Sequence, residues 1–382
     1  MISLFCITLL AFSLSVLFCL GFRGLAREWY LIDIPDARKR HDGNVPLCGG
    51  IAVFLSFLVA VVLTPSLAGS ANATALLPGL FLILATGVLD DRFNLPVAPR
   101  LAMQVVAAFL IIGIAGLTQI HLGLAVGAIQ SVFLPATEIP GEVLVGPLFL
   151  LIALAFVVGL VNAINMSDGV DGLAGSASAV AFFWLAAICF WVGENRIGLQ
   201  TLALAAACSG FLLFNMRHRW RAKASLFLGD GGSTFLGATL AGIILILTNA
   251  HAEIAFPAVL WVVVVPVTDT LSLIVRRLAA RRSPFSPDRQ HLHHLFMDTG
   301  LSAGQTAVAV MALNFLAGAI AYISIRLGIP AWSMLIALII PAIAHTLFVL
   351  RTNRGLRPVV KITAAEPAQT PKANVTLPGA TS

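Results

Sequence analysis

The chain has 382 residues, of which 59% are hydrophobic and only 10% charged, with a formal net charge of +6. That balance excludes a disordered chain, a disulfide scaffold and an ordinary water-soluble enzyme, because no soluble core absorbs so much apolar surface. It predicts an all-α polytopic integral membrane protein, and the placement of Lys and Arg decides whether the charge serves topology or a nucleic-acid partner.

Crossing the hydrocarbon core takes about 20 apolar residues, and about eleven segments qualify: 1–22, 49–65, 74–89, 101–117, 147–163, 174–192, 198–215, 234–250, 256–275, 306–327 and 331–350. The first has no basic run ahead of it and its positive charges follow it, so it reads as a retained span and not a cleaved signal. With that span running inward, 21 of the 23 Lys and Arg residues fall in inner loops or the tail, and only Arg196 and Arg326 fall outside. This bias sets the N-terminus outside and the C-terminus in the cytoplasm. It also accounts for the charge with no nucleic acid involved. The outer connection 118–146, apolar stretches broken by Gly and Pro, suits a short outer β-hairpin. Cys6, Cys19, Cys48, Cys189 and Cys208 sit in or beside apolar segments without metal-ligand spacing and read as packing residues. Residues 1–350 form the membrane domain; 351–382, rich in Ala, Thr and Pro and free of aromatics, form a cytoplasmic tail expected to be disordered.

The polar residues collect on one side. Asp90, Asp91, Asp168, Asp171, Asp230, His291, His293 and His294 all fall at inner ends of spans or in inner loops, which points to one site built from several loops. Asp90-Asp91-Arg92-Phe93-Asn94 leaves the third span; two adjacent carboxylates at a membrane boundary repel unless a cation, Arg or proton compensates, the alternative being a solvated helix end. Asn162, Asn165, Asp168 and Asp171 recur every three residues, so a continuing helix sets them along one face, as oxygen ligands for a hard cation or as contacts for a nucleotide. Asp230, flanked by Gly229 and Gly231 where a helix opens, suits a metal held beside phosphate oxygens. The run Asp288-Arg289-Gln290-His291-Leu292-His293-His294 suits phosphate donors, with zinc as the alternative. Asp269 lies seven positions before Arg276 within a span, a functional candidate unless it pairs with an inner Arg, and Pro266 is expected to interrupt its helix. His121, His251 and His345 are isolated and receive no role.

In order, DIPDARKRHDGNVPLCGG (33–50), LDDRFN (89–94), NAINMSDGVDGLAG (162–175), FLGDGGSTFLG (227–237), PVTDT (266–270) and SPFSPDRQHLHH (283–294) resemble the inner-loop motifs of the polyprenyl-phosphate N-acetylhexosamine-1-phosphate transferases. The resemblance covers about 1–350 and is greatest to the branch that uses UDP-GlcNAc. It implies transfer of GlcNAc-1-phosphate to undecaprenyl phosphate with release of UMP, using Mg²⁺ or Mn²⁺, at the cytoplasmic face of a bacterial inner membrane, in O-antigen or related polysaccharide synthesis. Carried over by motif position, Asp90, Asp91, Asp168, His291, His293 and His294 are catalytic, with Asp90 the better base candidate. Lys39, His41, Asn94, Arg100, Asn162, Asn165, Asp269 and Arg289 contact substrate, and Asp171 and Asp230 hold the metal. The expected partners are UDP-GlcNAc, undecaprenyl phosphate and the bilayer, with a homodimer left open. The competing readings are another UDP-N-acetylhexosamine or phospho-MurNAc-pentapeptide donor, and a secondary transporter.

Overall fold

The computed structural model describes residues 2–34, 43–64, 74–124, 142–283 and 290–355. Every expected span is met by helix: α1 (Ile2–Glu28), α2 (Gly49–Val62), α3 (Leu77–Phe93), α4 (Val97–Ile114), α5 (Gly146–Ser167), α6 (Leu173–Trp191), α7 (Asn195–Asn215) and α8 (Gly229–Ala250). The ninth crossing is α9 (Phe256–Val259), a turn of 3-10 helix (Leu260–Val263) and α10 (Val264–Ala279). A short helix, α11 (Leu292–Asp298), precedes α12 (Ala303–Arg326), and the final crossing is α13 (Ala331–Ala337) with α14 (Ile339–Gly355). Among the described residues nine of these crossings are long and apolar enough to traverse a membrane, while α2 and α3 have only 14 and 17 residues. The chain is a multi-pass membrane protein.

One helix organises the bundle. The most apolar window of α8 is wholly buried, whereas that of the final crossing is 17% buried. The sequence explains the difference: α8 reads GDGGSTFLGATLAGIILILTNA, and small residues let neighbouring backbones approach where no hydrophobic effect drives helices together. A Cβ on Gly50 of α2 would meet the Cα of Gly232 at 2.1 Å, one on Gly87 of α3 the Cα of Gly231 at 2.5 Å, and one on Gly237 the backbone of Leu160 and Val161 in α5 at 2.8 Å. Three crossings therefore converge on the first turns of α8, the segment that carries Asp230.

The loop after α1 is drawn to the same place. Strand β1 (Ile32–Asp33) pairs antiparallel with β2 (Val45–Pro46). Phe227 N–H donates to Pro46 O at 2.8 Å, and the N–H groups of Gly49 and Gly50 donate to the carbonyls of Phe227 and Leu228 at 2.9 Å. The Pro-Leu-Cys-Gly-Gly run thus docks backbone to backbone onto the approach to α8. At the opposite pole β3 (Gln119–His121) pairs with β4 (Val143–Val145), closing the connection in which an outer hairpin was expected; residues 125–141 lie outside the described residues.

The ninth crossing is interrupted just before Pro266, as expected: the irregular turn Leu260–Val263 contains Val262, the residue whose carbonyl Pro266 cannot bond, and α10 starts at Val264. One local expectation is corrected: residues 162–171 do not form one helical face, because α5 ends at Ser167 with Asp168 as its non-helical cap. The four buried cysteines and the exposed Cys6 are all free. The expected tail lies outside the described residues from 356 onward.

Candidate active site

The acidic residues of α3 and α8 meet through the helix N-terminus. An α-helix begins with N–H groups that lack intrahelical partners, and those of α8 are met by a carboxylate from α3: Asp230 N–H donates to Asp91 Oδ1 at 2.8 Å and Gly231 N–H to Asp91 Oδ2 at 3.1 Å. Gly229 turns into this contact at φ +78°, and a Cβ there would lie 2.6 Å from Asp91 Oδ2. Asp91 therefore holds the backbone that carries Asp230, a task the adjacency of Asp90 and Asp91 alone did not suggest.

Asp90 points elsewhere. Its Oδ2 is ion-paired with Arg100 Nη1, and its Oδ1 accepts from Leu95 N–H at 2.8 Å. Asn94, left-handed at φ +51°, is exposed and turns the chain so that α4 can return Arg100 to Asp90. The carboxylates of Asp90 and Asp230 stand within hydrogen-bonding reach of each other. Asn165 Nδ2 donates to Asp230 Oδ1 at 2.7 Å and to Ser233 Oγ at 2.9 Å. Asn162 Nδ2 donates to Gln104 Oε1 at 2.7 Å. Asp90, Arg100, Asn162, Asn165 and Asp230 line one recess, whose remaining wall includes the apolar Ile83, Val97 and Leu101. The recess thus combines charged and apolar lining.

The loop after α5 carries the next two acids. Burial, then the neighbouring carboxylates of Asp230 and Asp171, push the Asp168 carboxyl up to about 7. Asp171 is not among the residues lining the recess: its Oδ2 is paired with Arg217 Nε at 2.7 Å and accepts from Ala224 N–H at 3.1 Å. Asn215 completes the strap, accepting from Gly172 N–H at 2.7 Å and donating to Leu226 O at 3.0 Å. Of the two carboxylates expected to hold a metal, Asp230 lines the recess and Asp171 braces the 217–224 loop.

The histidines form a second group against the same loop. The rings of His291, His293 and His294 lie 4.2–6.1 Å apart. His293 packs on the backbone beside Asp168, so that a Cβ on Gly169 would lie 2.4 Å from His293 Nε2. Burial, with the neighbouring imidazoles of His294 and His291, pushes His293 down to about 3, which keeps it neutral. Asp269 pairs with imidazoles and not with an arginine: Oδ2 contacts His291 Nδ1 and Oδ1 contacts His345 Nε2, both at 3.1 Å, while Oδ1 also accepts from Leu292 N–H at 2.8 Å. His345 is thus part of a buried network, while the half-buried His121 and His251 have contacts of their own, His121 Nδ1 at 2.8 Å from Thr248 O and His251 at 3.1 Å from Glu194. Lys39, His41 and Arg289 lie outside the described residues.

Five residues escaped the reading of the sequence: Gln104, Ser233, Asn215, Arg217 and His345. Gln104 and His345 carried a usable signal, being polar side chains inside otherwise apolar spans. The others are ordinary loop and helix-end polar groups whose partners lie more than ten residues away in the chain.

Residues 73–248, the stretch that carries all five aspartates from Asp90 to Asp230, match the model of glycosyl transferase family 4. The chain is 33% identical over 348 residues to the undecaprenyl-phosphate alpha-N-acetylglucosaminyl 1-phosphate transferase of Yersinia pestis, covering 91% of each protein. The chain belongs to glycosyl transferase family 4. Relatives of the same name are 32% identical in Salmonella typhi and 31% in Escherichia coli K12, each over 85% of both chains. The histidine group and Asp269 lie beyond the matched stretch but within the span shared with these relatives.

Proposed function

We propose that the protein transfers GlcNAc-1-phosphate from UDP-GlcNAc to undecaprenyl phosphate, giving undecaprenyl-diphospho-GlcNAc and UMP, at the cytoplasmic face of a bacterial inner membrane, as the first membrane step of O-antigen or related polysaccharide synthesis. The observation that carries this reading is the single recess in which Arg100, Asp90 and Asp230 meet under an apolar wall between spans. A polyprenyl tail lies along the greasy side, its phosphate reaches Arg100, and the soluble donor arrives from the pole where the basic loops gather.

In the reaction an oxygen of the lipid phosphate forms a bond to the sugar-bearing phosphorus of the donor. The bond from that phosphorus to the oxygen of the uridine-bearing phosphate breaks, and UMP leaves with the electron pair. A phosphate monoester has its second pKa near 6, so most of the nucleophile is already ionised at neutral pH. The protein therefore acts chiefly by positioning and by offsetting charge. Arg100 orients the attacking phosphate; Asp90 aims Arg100; His291, His293 and His294 act as donors near the leaving phosphate.

Among the described residues no three acidic or imidazole groups stand close enough to hold a bare ion. Mg²⁺ characteristically takes one or two carboxylates and completes its shell with water and substrate phosphates, and the facing pair Asp90 and Asp230 fits that requirement. These two would hold Mg²⁺ or Mn²⁺, which when bound supplies charge neutralisation across the diphosphate. Asn165, bonded to Asp230, keeps that carboxylate turned toward Asp90.

The test is a purified-enzyme assay with undecaprenyl phosphate and a panel of UDP-N-acetylhexosamines, with and without EDTA. Lipid-linked GlcNAc and stoichiometric UMP, lost on chelation, are expected. Product from every UDP-sugar except UDP-GlcNAc, or transfer undiminished by EDTA, would overturn the donor or the metal assignment respectively.

A further inference from the structure

The final crossing looks like a lipid-facing anchor, with most of its large apolar side chains exposed. Its one histidine does not fit that role. His345 lies on α14, buried, with Nε2 at 3.1 Å from Asp269 Oδ1, and its Nδ1 has no hydrogen-bond partner. An ionised carboxylate only accepts hydrogen bonds, so Asp269 selects one tautomer on each ring: the proton on Nε2 of His345 and on Nδ1 of His291. Three donors from two elements, one from α14 and two from the start of α11 (its N-cap side chain and its first backbone N–H), then converge on one carboxylate buried in α10. Removing either outer donor leaves the carboxylate under-compensated in an apolar bundle, and the ring on its other side is no longer held.

We propose that His345 is a positioning residue: through Asp269 it fixes the tautomer and aim of His291, so that the last membrane helix belongs to the catalytic unit. The chain of contact is short, His345 to Asp269 to His291, and His291 in turn stacks on His293 at 5.3 Å with the two ring planes 8° apart. His291 is left with Nε2 directed away from Asp269; in this tautomer that nitrogen carries the lone pair, and it donates to a phosphate oxygen only once it has taken up a proton. The activity readout rests on the transferase reading above; the labelling readout does not.

The experiment compares wild type, His345→Ala and His345→Gln in the full-length protein. Gln places its side-chain N–H where Nε2–H was and can still donate to Asp269. In the Ala variant kcat for lipid-linked product is expected to fall about 10- to 100-fold, the range typical when the group orienting a working histidine is lost, with KM for the donor little changed. The Gln variant is expected to recover most of that loss. In parallel, diethyl pyrocarbonate modification of His291, followed by mass spectrometry, should be several-fold faster in the Ala variant than in wild type or the Gln variant. Unchanged kcat and unchanged His291 labelling in His345→Ala overturn the proposal, as does a Gln variant no better than Ala. If the Ala variant does not fold, His345→Leu, which fills the same apolar space without a donor, takes its place under the same criteria. Should wild type make no lipid-linked product, the transferase reading fails, and the labelling comparison alone decides the role of His345.

Discussion

Asp91→Asn separates holding the site from performing the chemistry. Both Asp91 oxygens accept from backbone N–H groups of the first turn of α8, at 2.8 and 3.1 Å. Asparagine keeps one of these bonds and turns its own N–H₂ against the other amide. Losing one hydrogen bond to a charged acceptor costs roughly 1.5–3 kcal/mol, and losing the negative charge at a helix N-terminus adds up to about 1 kcal/mol. A total of about 2–4 kcal/mol, expressed at the transition state because Asp230 shifts with its backbone, corresponds to a roughly 30- to 1000-fold fall in rate. The assay is the initial rate of lipid-linked product from purified enzyme at saturating Mg²⁺, with thermal unfolding in detergent as a control. The companion variant Gly229→Ala leaves Asp91 in place but puts a methyl group 2.6 Å from its Oδ2 at a backbone φ of +78°, and it should lower the rate in the same way. Asp91→Asn turning over within about threefold of wild type, with Gly229→Ala equally active, refutes the argument that this carboxylate positions α8, since even the low end of the hydrogen-bond range predicts more.

The other expectations concern the hub helix, the loop after α5 and the brace beneath it. Gly50→Ala drives a methyl group into the Cα of Gly232, so the crossing of α2 over α8 has to open; the unfolding temperature in detergent should drop by several degrees, and an unchanged value contradicts the close approach. For Asp168, whose folded value of about 7 lies above its ordinary 3.8, the folded state binds the extra proton between those two pH values. Stability is therefore fully present at low pH and is lost as pH rises toward 7, and Asp168→Asn should remove that loss in unfolding scans from pH 5 to 8 in EDTA. A wild-type-minus-variant difference that stays flat with pH counts against it. Arg217→Ala should loosen the 217–224 loop, read as faster proteolysis there, while Asp171→Asn does the same by removing the other half of the pair; protection unaltered in both variants rejects the strap.

Apolar run length was enough to place a helix at every expected span, because burying some twenty consecutive apolar residues in lipid is a local requirement that any window of the chain reports by itself. The same locality made Asp90, Asp230 and the histidine run stand out as polar groups too expensive to keep at a membrane boundary without a task. Three-residue spacing misled at 162–171, since it presumes a helix that ends at Ser167, and it gave no sign of the Arg217 partner that Asp171 takes. The partners of Asp91, Asp171 and Asp269 lie 139, 46 and 76 residues away, and a hydrogen bond leaves no mark on spacing when its two ends come from different helices. Which carboxylate faces substrate, which one props a helix and which one grips an imidazole was decided by where glycine contacts allow α2, α3 and α5 to close on α8, a property of assembled backbones that no stretch of the chain carries alone.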